Sequence, residues 1–329
     1  MKWRAPVLEW VLSGLLVYGC ADTGPTGPTT VSRALSAADT ANGIVPGSTV
    51  RIVSGETGRP VAGARVVIAG REHMSDGSGQ LTLEELASNG VSVDIEARGF
   101  LNRQTLVRRG EQTTFELWPS ESPTRLDADY TRALVYLSAS LGGQGEPEPL
   151  DRPSLDSGRV GLAPTGAIAR DPEAMQSLRD AAAEMTEALG GAIVYSVGDD
   201  AGAVVITLLV EPENESIVDE NLRALTRCWT LRLVITRCEI VFRDVEVVRS
   251  NTTLHELGHT FGLNHSPDRS EIMGVRRVRS PQRFSPRERL AMTLMIKRLP
   301  GNLFPDNDRQ APTLRALGEE SRIVCRHPS

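Results

Sequence analysis

The sequence predicts an α+β domain built on a twisted mixed sheet and preceded by a small all-β sandwich. The chain has 329 residues, which is enough for two domains of ordinary size. Short β-rich runs recur at close spacing in residues 44–118, whereas residues 126–300 alternate helical and strand patterns. Hydrophobic residues make up 40% and charged residues 24%, which is typical of globular proteins. The net charge of −6 argues against a nucleic-acid partner, because binding phosphates needs a concentrated basic surface.

Residues 1–20 have the pattern of an export signal. Lys2 and Arg4 precede a mostly apolar run that is too short to span a bilayer as a mature helix, and the segment ends at Cys20. This segment resembles a bacterial lipoprotein signal. The resemblance implies that Cys20 is lipidated and that acyl chains alone hold the mature protein at the cell envelope. Ala21 after the cysteine implies the outer membrane, if the cell has one.

An ordinary secretory signal, in which Cys20 occurs by chance, is the alternative interpretation and predicts a secreted protein. In either case residues 21–43 are expected to be a flexible linker. They are rich in Thr, Gly, Pro, Ser and Ala and contain few large apolar side chains that could form a core.

Residues 44–118 contain six β-rich runs separated by turn residues, and this spacing predicts the sandwich. The runs are residues 48–53, 64–69, 79–83, 91–97, 105–107 and 113–117. The order of the segments TGRPVAGARVVI, SDGSGQLTL, VDIEARGF and FELWP resembles the carboxypeptidase regulatory-like, transthyretin-like domain. The resemblance implies an accessory module without chemistry of its own. His73 is expected in a polar turn, either as a solvated residue or as an isolated metal ligand.

The α+β domain follows a polar boundary segment that contains two prolines, residues 119–129. Asp171 as N-cap and Pro172 in the first turn predict the start of a helix with one apolar stripe. Ser285 and Glu288 form a capping-box pattern that predicts a C-terminal helix. Strands are expected in residues 133–139, 192–197, 203–210, 229–236 and 239–243, and a loop in residues 142–164.

The most informative stretch is HELGHTFGLNH, which has the form HExxHxxGxxH. His255 and His259 are four residues apart, so their imidazoles lie on the same face of a helix. Gly262 can end that helix in the left-handed conformation and turn the chain so that His265 reaches the same ion. Three neutral imidazoles leave one tetrahedral position open, which is typical of one catalytic Zn²⁺. Glu256 is then free to accept a proton from the water that zinc binds.

This motif is similar to that of the metzincin zinc metalloendopeptidases. The Met turn of that family corresponds to Met273, which would form an apolar floor beneath the imidazoles without touching the metal; the alternative is an ordinary core methionine. Ser266, directly after the third histidine, makes the chain similar to matrixin-like members. The resemblance implies a metzincin-like catalytic domain whose edge strand binds an extended substrate by main-chain pairing. The sequence does not identify that edge strand.

Cys228 and Cys238 flank a β-rich run, so they predict either a disulfide that closes a loop or hairpin or two buried thiols. Residues 301–329 are expected to be a C-terminal tail. Cys325 and His327 in that tail are two residues apart, and they are either metal contacts or part of a frayed terminus.

Together these patterns predict an envelope-tethered, zinc-dependent endopeptidase that acts on a protein or peptide substrate. One alternative is an envelope binding or adhesion lipoprotein with a structural zinc site. Another is a zinc amide hydrolase that acts on cell-wall peptides. Glu256 favours an enzyme, because a purely structural site has no need of a base. The oligomeric state and the cleavage specificity do not follow from the sequence.

Overall fold

The computed structural model describes residues 43–84, 87–88, 90–107, 114–122, 126–136, 150–198, 204–210, 222–275, 282–308 and 320–328. The predicted signal segment with Cys20 lies outside these ranges, as does the predicted linker except for Gly43. Within them, no helix has both the length and the apolar character needed to cross a bilayer.

The N-terminal part, residues 43–117, consists of short strands. They are β1 Gly43–Ile44, β2 Thr49–Ser54, β3 Arg65–Ile68, β4 Arg71–Met74, β5 Gln80–Thr82, β6 Ala87–Ser88, β7 Ser92–Glu96, β8 Arg103–Leu106 and β9 Thr114–Leu117. Three of them form a sheet in the order β5-β2-β9, four form a second sheet in the order β4-β3-β7-β8, and β1 pairs with β6. Alternate side chains from both larger sheets are buried in one hydrophobic core, which contains Ile52, Val66, Ile95 and Phe115.

One prediction in this part is wrong. His73 lies in strand β4, where it pairs with Val66 of β3, and does not lie in a turn. The turn is the two-residue connection Ala69–Gly70, in which both residues have positive φ, as a tight hairpin requires.

The C-terminal part contains the larger core and a mixed sheet of seven strands. Its strands are β10 Arg152–Pro153, β11 Arg159–Pro164, β12 Val194–Val197, β13 Val204–Val210, β14 Leu222–Leu231, β15 Val234–Phe242 and β16 Glu320–Pro328. Its helices are α1 Ala128–Val135, α2 Gly166–Arg170, α3 Pro172–Ala188, α4 Val245–Val248, α5 Thr252–Phe261 and α6 Pro286–Ile296. The strand order is β12-β11-β13-β15-β14-β16, and β10 pairs with β15. Strands β12, β11, β13 and β15 run parallel to one another, whereas β14 is antiparallel to both β15 and β16.

Two helices begin where their capping residues predict. The side chain of Asp171 accepts a hydrogen bond from the backbone N–H of Ala174 at the start of α3. The side chain of Ser285 and that of Glu288 form the reciprocal hydrogen bonds of a capping box at the start of α6. These local patterns are therefore confirmed as helix starts.

Three other local predictions are wrong. Residues 128–135 form helix α1, capped by Asp127, and not a strand. The run 229–236 is interrupted by Arg232 and Leu233, both with positive φ, which form the turn between β14 and β15. The predicted loop 142–164 contains strands β10 and β11. In the first and third cases, pairing or packing with distant parts of the chain outweighs the local pattern, whereas in the second a tight hairpin turn divides one apparent strand.

Residues 320–328 are also not part of a frayed terminus. Strand β16 pairs with β14 along its whole length, from Leu231 opposite Glu320 to Leu222 opposite Pro328. Cys325 and His327 therefore lie within a strand. This strand gives hydrogen-bond partners to the main-chain N–H and C=O groups of β14 that point away from β15.

Cys228 and Cys238 form a disulfide, so the first of the two alternatives is correct. They stand directly opposite each other on β14 and β15, with a Cα–Cα distance of 4.1 Å. Both are buried in the larger core, and the bond cross-links the two strands of the hairpin.

A buried cluster of charges joins the N-terminal and C-terminal parts. Arg298 forms a bidentate ion pair with Asp306, with N–O distances of 2.7 and 2.8 Å, and both side chains are fully buried. The main-chain carbonyl of Glu116, on β9, accepts hydrogen bonds from both Arg103 and Arg298. Asp308 completes the cluster by accepting from Thr105 on β8. Buried charges are tolerated only when they are paired in this way, so this junction is sensitive to loss of any member.

Replacing Arg298 should therefore strongly destabilise the fold. Arg298→Leu leaves the carboxylate of Asp306 buried without its bidentate partner and with only the more distant Arg103, at 3.9 Å, as a cation. We expect the free energy of unfolding to fall by about 3–5 kcal/mol in urea titrations. The matched control is Lys297→Met, which removes a half-exposed ion pair with Glu116 and should cost about 0–1 kcal/mol. Similar losses in the two variants would contradict the special role of the buried pair.

Candidate metal centre

Helix α5 carries the first two histidines into the interior. All ten residues of the helix are buried, because one side packs under the mixed sheet and the other against the turn that contains Met273. His255 and His259 are one turn apart on this helix, and the distance between their Nε2 atoms is 3.1 Å.

The chain reverses directly after α5 at Gly262. This glycine has φ 102°, in the left-handed region, and the backbone N–H of Leu263 donates to the carbonyl of Gly258. The N–H of Gly262 donates to the carbonyl of His259, which completes a Schellman motif. A Cβ at Gly262 would lie 2.0 Å from the carbonyl oxygen of Asp151, so both the conformation and the space at this position require glycine.

His265 is positioned by its two neighbours in sequence. The N–H of Asn264 donates to the carbonyl of Leu134 on α1, and the N–H of Ser266 donates to the carbonyl of Met273. These two bonds fix the backbone on both sides of His265. As a result, one ring nitrogen from each of the three histidines lies within 4.8 Å of the others.

The protonation of the first two imidazoles suits metal binding. Nδ1 of His255 contacts the carbonyl oxygen of Ile272 at 2.6 Å, and Nδ1 of His259 contacts that of Leu263 at 2.8 Å. Because a carbonyl can only accept, each Nδ1 must carry a proton, and in the neutral form of the ring each Nε2 then has a lone pair for a metal ion.

His265 provides an independent test of whether an ion fits this centre. Both of its ring nitrogens are buried, yet neither has a hydrogen-bond partner among the described residues. Burial lowers the pKa of the His265 imidazole to about 4, so the ring is neutral at physiological pH. A buried neutral imidazole whose nitrogens are unsatisfied fits a metal ligand, and three imidazoles form a donor set that zinc favours.

Glu256 directly follows His255 on helix α5 and is fully buried. The hydroxyl of Thr226 on β14 donates a hydrogen bond of 2.5 Å to its Oε2 atom. Sequence reasoning did not find Thr226, since the first half of β14 has no strong strand pattern. Its position next to Glu256 depends on the pairing of the β14–β15 hairpin above helix α5.

Met273 is fully buried beneath helix α5. A Cβ at Gly258 would lie 2.3 Å from the Sδ atom of Met273, so the thioether packs directly against the bare backbone of the helix. Gly258 is three residues after His255, and residues three apart share a helix face. The thioether therefore lies on the same side of the helix as the first histidine.

A buried carboxylate, Glu271, organises the turn that ends in Met273. Its Oε2 atom accepts from the hydroxyls of Tyr130 and Ser266, at 2.7 and 2.5 Å. Its Oε1 atom accepts from Ser285 and from Nε of Arg287, both at 2.6 Å. Four donors to one carboxylate tie α1, α6 and the turn together around the third histidine.

A second buried carboxylate, Glu288, holds the same turn from the other side. It accepts hydrogen bonds from the backbone N–H groups of Met273 and Ser285, at 2.8 and 2.7 Å. Burial, with a further contribution from the nearby charge of Glu271, raises the pKa of the Glu288 carboxyl to about 7. Neither carboxylate was identified as part of the site from the sequence, although Glu288 was identified as a helix cap.

Known proteins show only limited similarity to this chain. No protein-family model matches the chain, and no curated protein matches it. Among solved structures, the chain is similar to the crystal structure of archaemetzincin from Methanopyrus kandleri, with 17% identity and a TM-score of 0.29. The match covers 43% of this chain and 96% of the archaemetzincin chain. The assignment of the site therefore rests on its own geometry.

The close approach of Gly258 and Met273 gives a test of this geometry. Gly258→Ala should lower the free energy of unfolding by about 1–3 kcal/mol, because the added methyl overlaps the thioether. Gly77→Ala is the matched control, since a Cβ there meets no atom within 4 Å, and it should change stability by less than about 0.5 kcal/mol. The cost of Gly258→Ala should shrink in a Met273→Ala background. An unchanged cost there would show that the contact is not the cause.

Proposed function

We propose that this chain is a zinc-dependent endopeptidase that hydrolyses peptide bonds in a protein or peptide substrate. The observation that supports this most directly is the convergence of the three imidazoles, with the buried carboxylate of Glu256 next to His255 on the same helix. His255, His259 and His265 would hold the ion.

Zinc bound there would supply a Lewis acid that polarises the substrate carbonyl and makes a water nucleophilic at neutral pH. Glu256 would accept the proton of the attacking water and pass it to the leaving nitrogen, as a general base and then a general acid. The hydrogen bond from Thr226 fixes the carboxylate in one orientation, so that it does not have to be ordered during the reaction.

The number of ligands favours a catalytic over a structural site. Structural zinc is almost always held by four protein ligands, whereas catalytic zinc keeps one position open. In the part of the chain that the structure describes, only the three histidines belong to the cluster. A structural zinc site in an adhesion lipoprotein is therefore the weaker explanation. Hydrolysis of cell-wall peptides would use the same residues, and a comparison of cleaved substrates distinguishes it from proteolysis.

Because Glu256 is not expected to bind the metal, its replacement should lower hydrolysis without releasing zinc. Glu256→Gln should retain about one zinc per chain by elemental analysis, but should lower hydrolysis of a casein-type substrate about 10²–10⁴-fold. Glu239→Gln, on β15, is the matched control, because Glu239 pairs with Arg227 on the sheet and not with the site. Full activity in Glu256→Gln would rule out the general base.

We also propose that the protein is exported and tethered to the cell envelope through lipidated Cys20. Cys20→Ser should then move the protein from the membrane fraction to the soluble fraction of the cell envelope or to the medium. Ala21→Ser is a suitable control, since it keeps the cysteine. Continued sedimentation of Cys20→Ser with membranes would contradict the lipid anchor.

A further inference from the structure

Strand β14 connects the metal centre to the edge of the mixed sheet. On the inner side, Thr226 of this strand donates its hydroxyl hydrogen bond to Glu256. Along one margin β14 pairs with β15, and along the other it pairs with β16. Without β16, β14 would be the edge strand of the described sheet, and it would be the edge closest to Glu256.

The opposite edge of the sheet cannot take this place. It is formed by β12, and the strand order puts β12 four strand spacings from β14. At about 4.8 Å per spacing, this corresponds to about 19 Å. Of the two ends of this strand order, the margin of β14 that now faces β16 is therefore the one from which a paired, extended peptide reaches Glu256.

Strand β16 occupies this margin at the level of Thr226, the residue that donates to Glu256. Its nine residues, ESRIVCRHP, pair with Leu222–Leu231 in antiparallel register. Cys325 is the Cα partner of Thr226, so the middle of β16 runs past the residue that holds Glu256. The main chains of paired strands are about 4.8 Å apart, which leaves no room for a second strand between them.

We infer that residues 320–328 act as an intramolecular ligand of the β14 edge and exclude an extended peptide from it until the strand is displaced. Recognition at such an edge uses main-chain hydrogen bonds, and each of these groups serves one neighbouring strand at a time. The C-terminal strand and an incoming peptide therefore compete for the same groups. Competition between β16 and a peptide for the β14 edge does not depend on catalysis. Only the further expectation, that displacement of β16 raises hydrolysis, rests on the proposed function.

The first experiment weakens β16 in the full chain. In an antiparallel strand at a sheet edge, the main-chain N–H groups of successive residues point alternately toward the neighbouring strand and toward solvent. Proline has no N–H group, so prolines at two adjacent positions remove at least one hydrogen bond to β14. The test variant is Val324→Pro with Cys325→Pro. Its matched control is Val324→Thr with Cys325→Ser, which keeps both N–H groups.

The probe is a fluorescein-labelled synthetic peptide with the sequence of residues 320–328. We expect the proline variant to bind it at least tenfold more tightly than the control, and to cleave a casein-type substrate at least tenfold faster. Equal peptide binding by the two variants would overturn the inference, even if both cleave casein. Tighter peptide binding without any casein cleavage would support the inference and count against the proposed function.

A second pair of variants decides the matter if the prolines prevent folding. Leu231 and Glu320 stand directly opposite each other, so Leu231→Cys with Glu320→Cys can lock β16 onto β14 by a disulfide. The control carries Leu231→Ser with Glu320→Ser, and Cys325→Ser is added to both to prevent other pairings. The oxidised lock should bind the labelled peptide at least tenfold more weakly than its control. Equal binding would overturn the inference.

Discussion

The reversal of the chain at Gly262 is the constraint on which the metal centre depends. Two histidines on one helix can face the same point, but the third reaches it only if the helix stops and the chain turns back within three residues. Gly262 permits this turn through its left-handed conformation and through the missing Cβ beneath the carbonyl of Asp151. A similar requirement acts at Gly258, where the bare helix backbone admits the thioether of Met273. Both glycines of the motif are thus explained by close packing around the three imidazoles.

The polar groups beneath the centre give it a rigid support. Glu271 collects four hydrogen bonds from side chains on separate elements, and Glu288 holds the backbone of the same turn. Buried carboxylates with this many donors are costly to expose and costly to leave unsatisfied. They therefore favour a single arrangement of the turn, and through it a fixed backbone at His265, whose ring nitrogens have no hydrogen-bond partner among the described residues.

The β14–β15 hairpin relates the sheet to the chemistry that we propose. Its Cys228–Cys238 bond and the antiparallel pairing hold Thr226 against Glu256, while its outer margin is the place where the C-terminal strand lies. A strand that binds or leaves that margin is therefore separated from the carboxylate of Glu256 only by Thr226. The buried pair of Arg298 and Asp306 joins the N-terminal strands to the segment beyond α6, so the two parts of the chain share a charged interface and are not simply linked.

The sequence by itself determined the features that depend on neighbouring residues. The spacing of His255, Glu256 and His259, the helix end at Gly262, and the caps at Asp171 and Ser285 all involve hydrogen bonds or helix periodicity within a few residues. Only the tertiary structure decided the features made by distant segments. Thr226 and Glu256 are 30 residues apart, Tyr130 and Glu271 are 141 apart, and β16 pairs with a strand almost one hundred residues earlier. Such contacts leave no periodic pattern in either partner, because strand pairing and buried polar networks are selected by the geometry of the whole core.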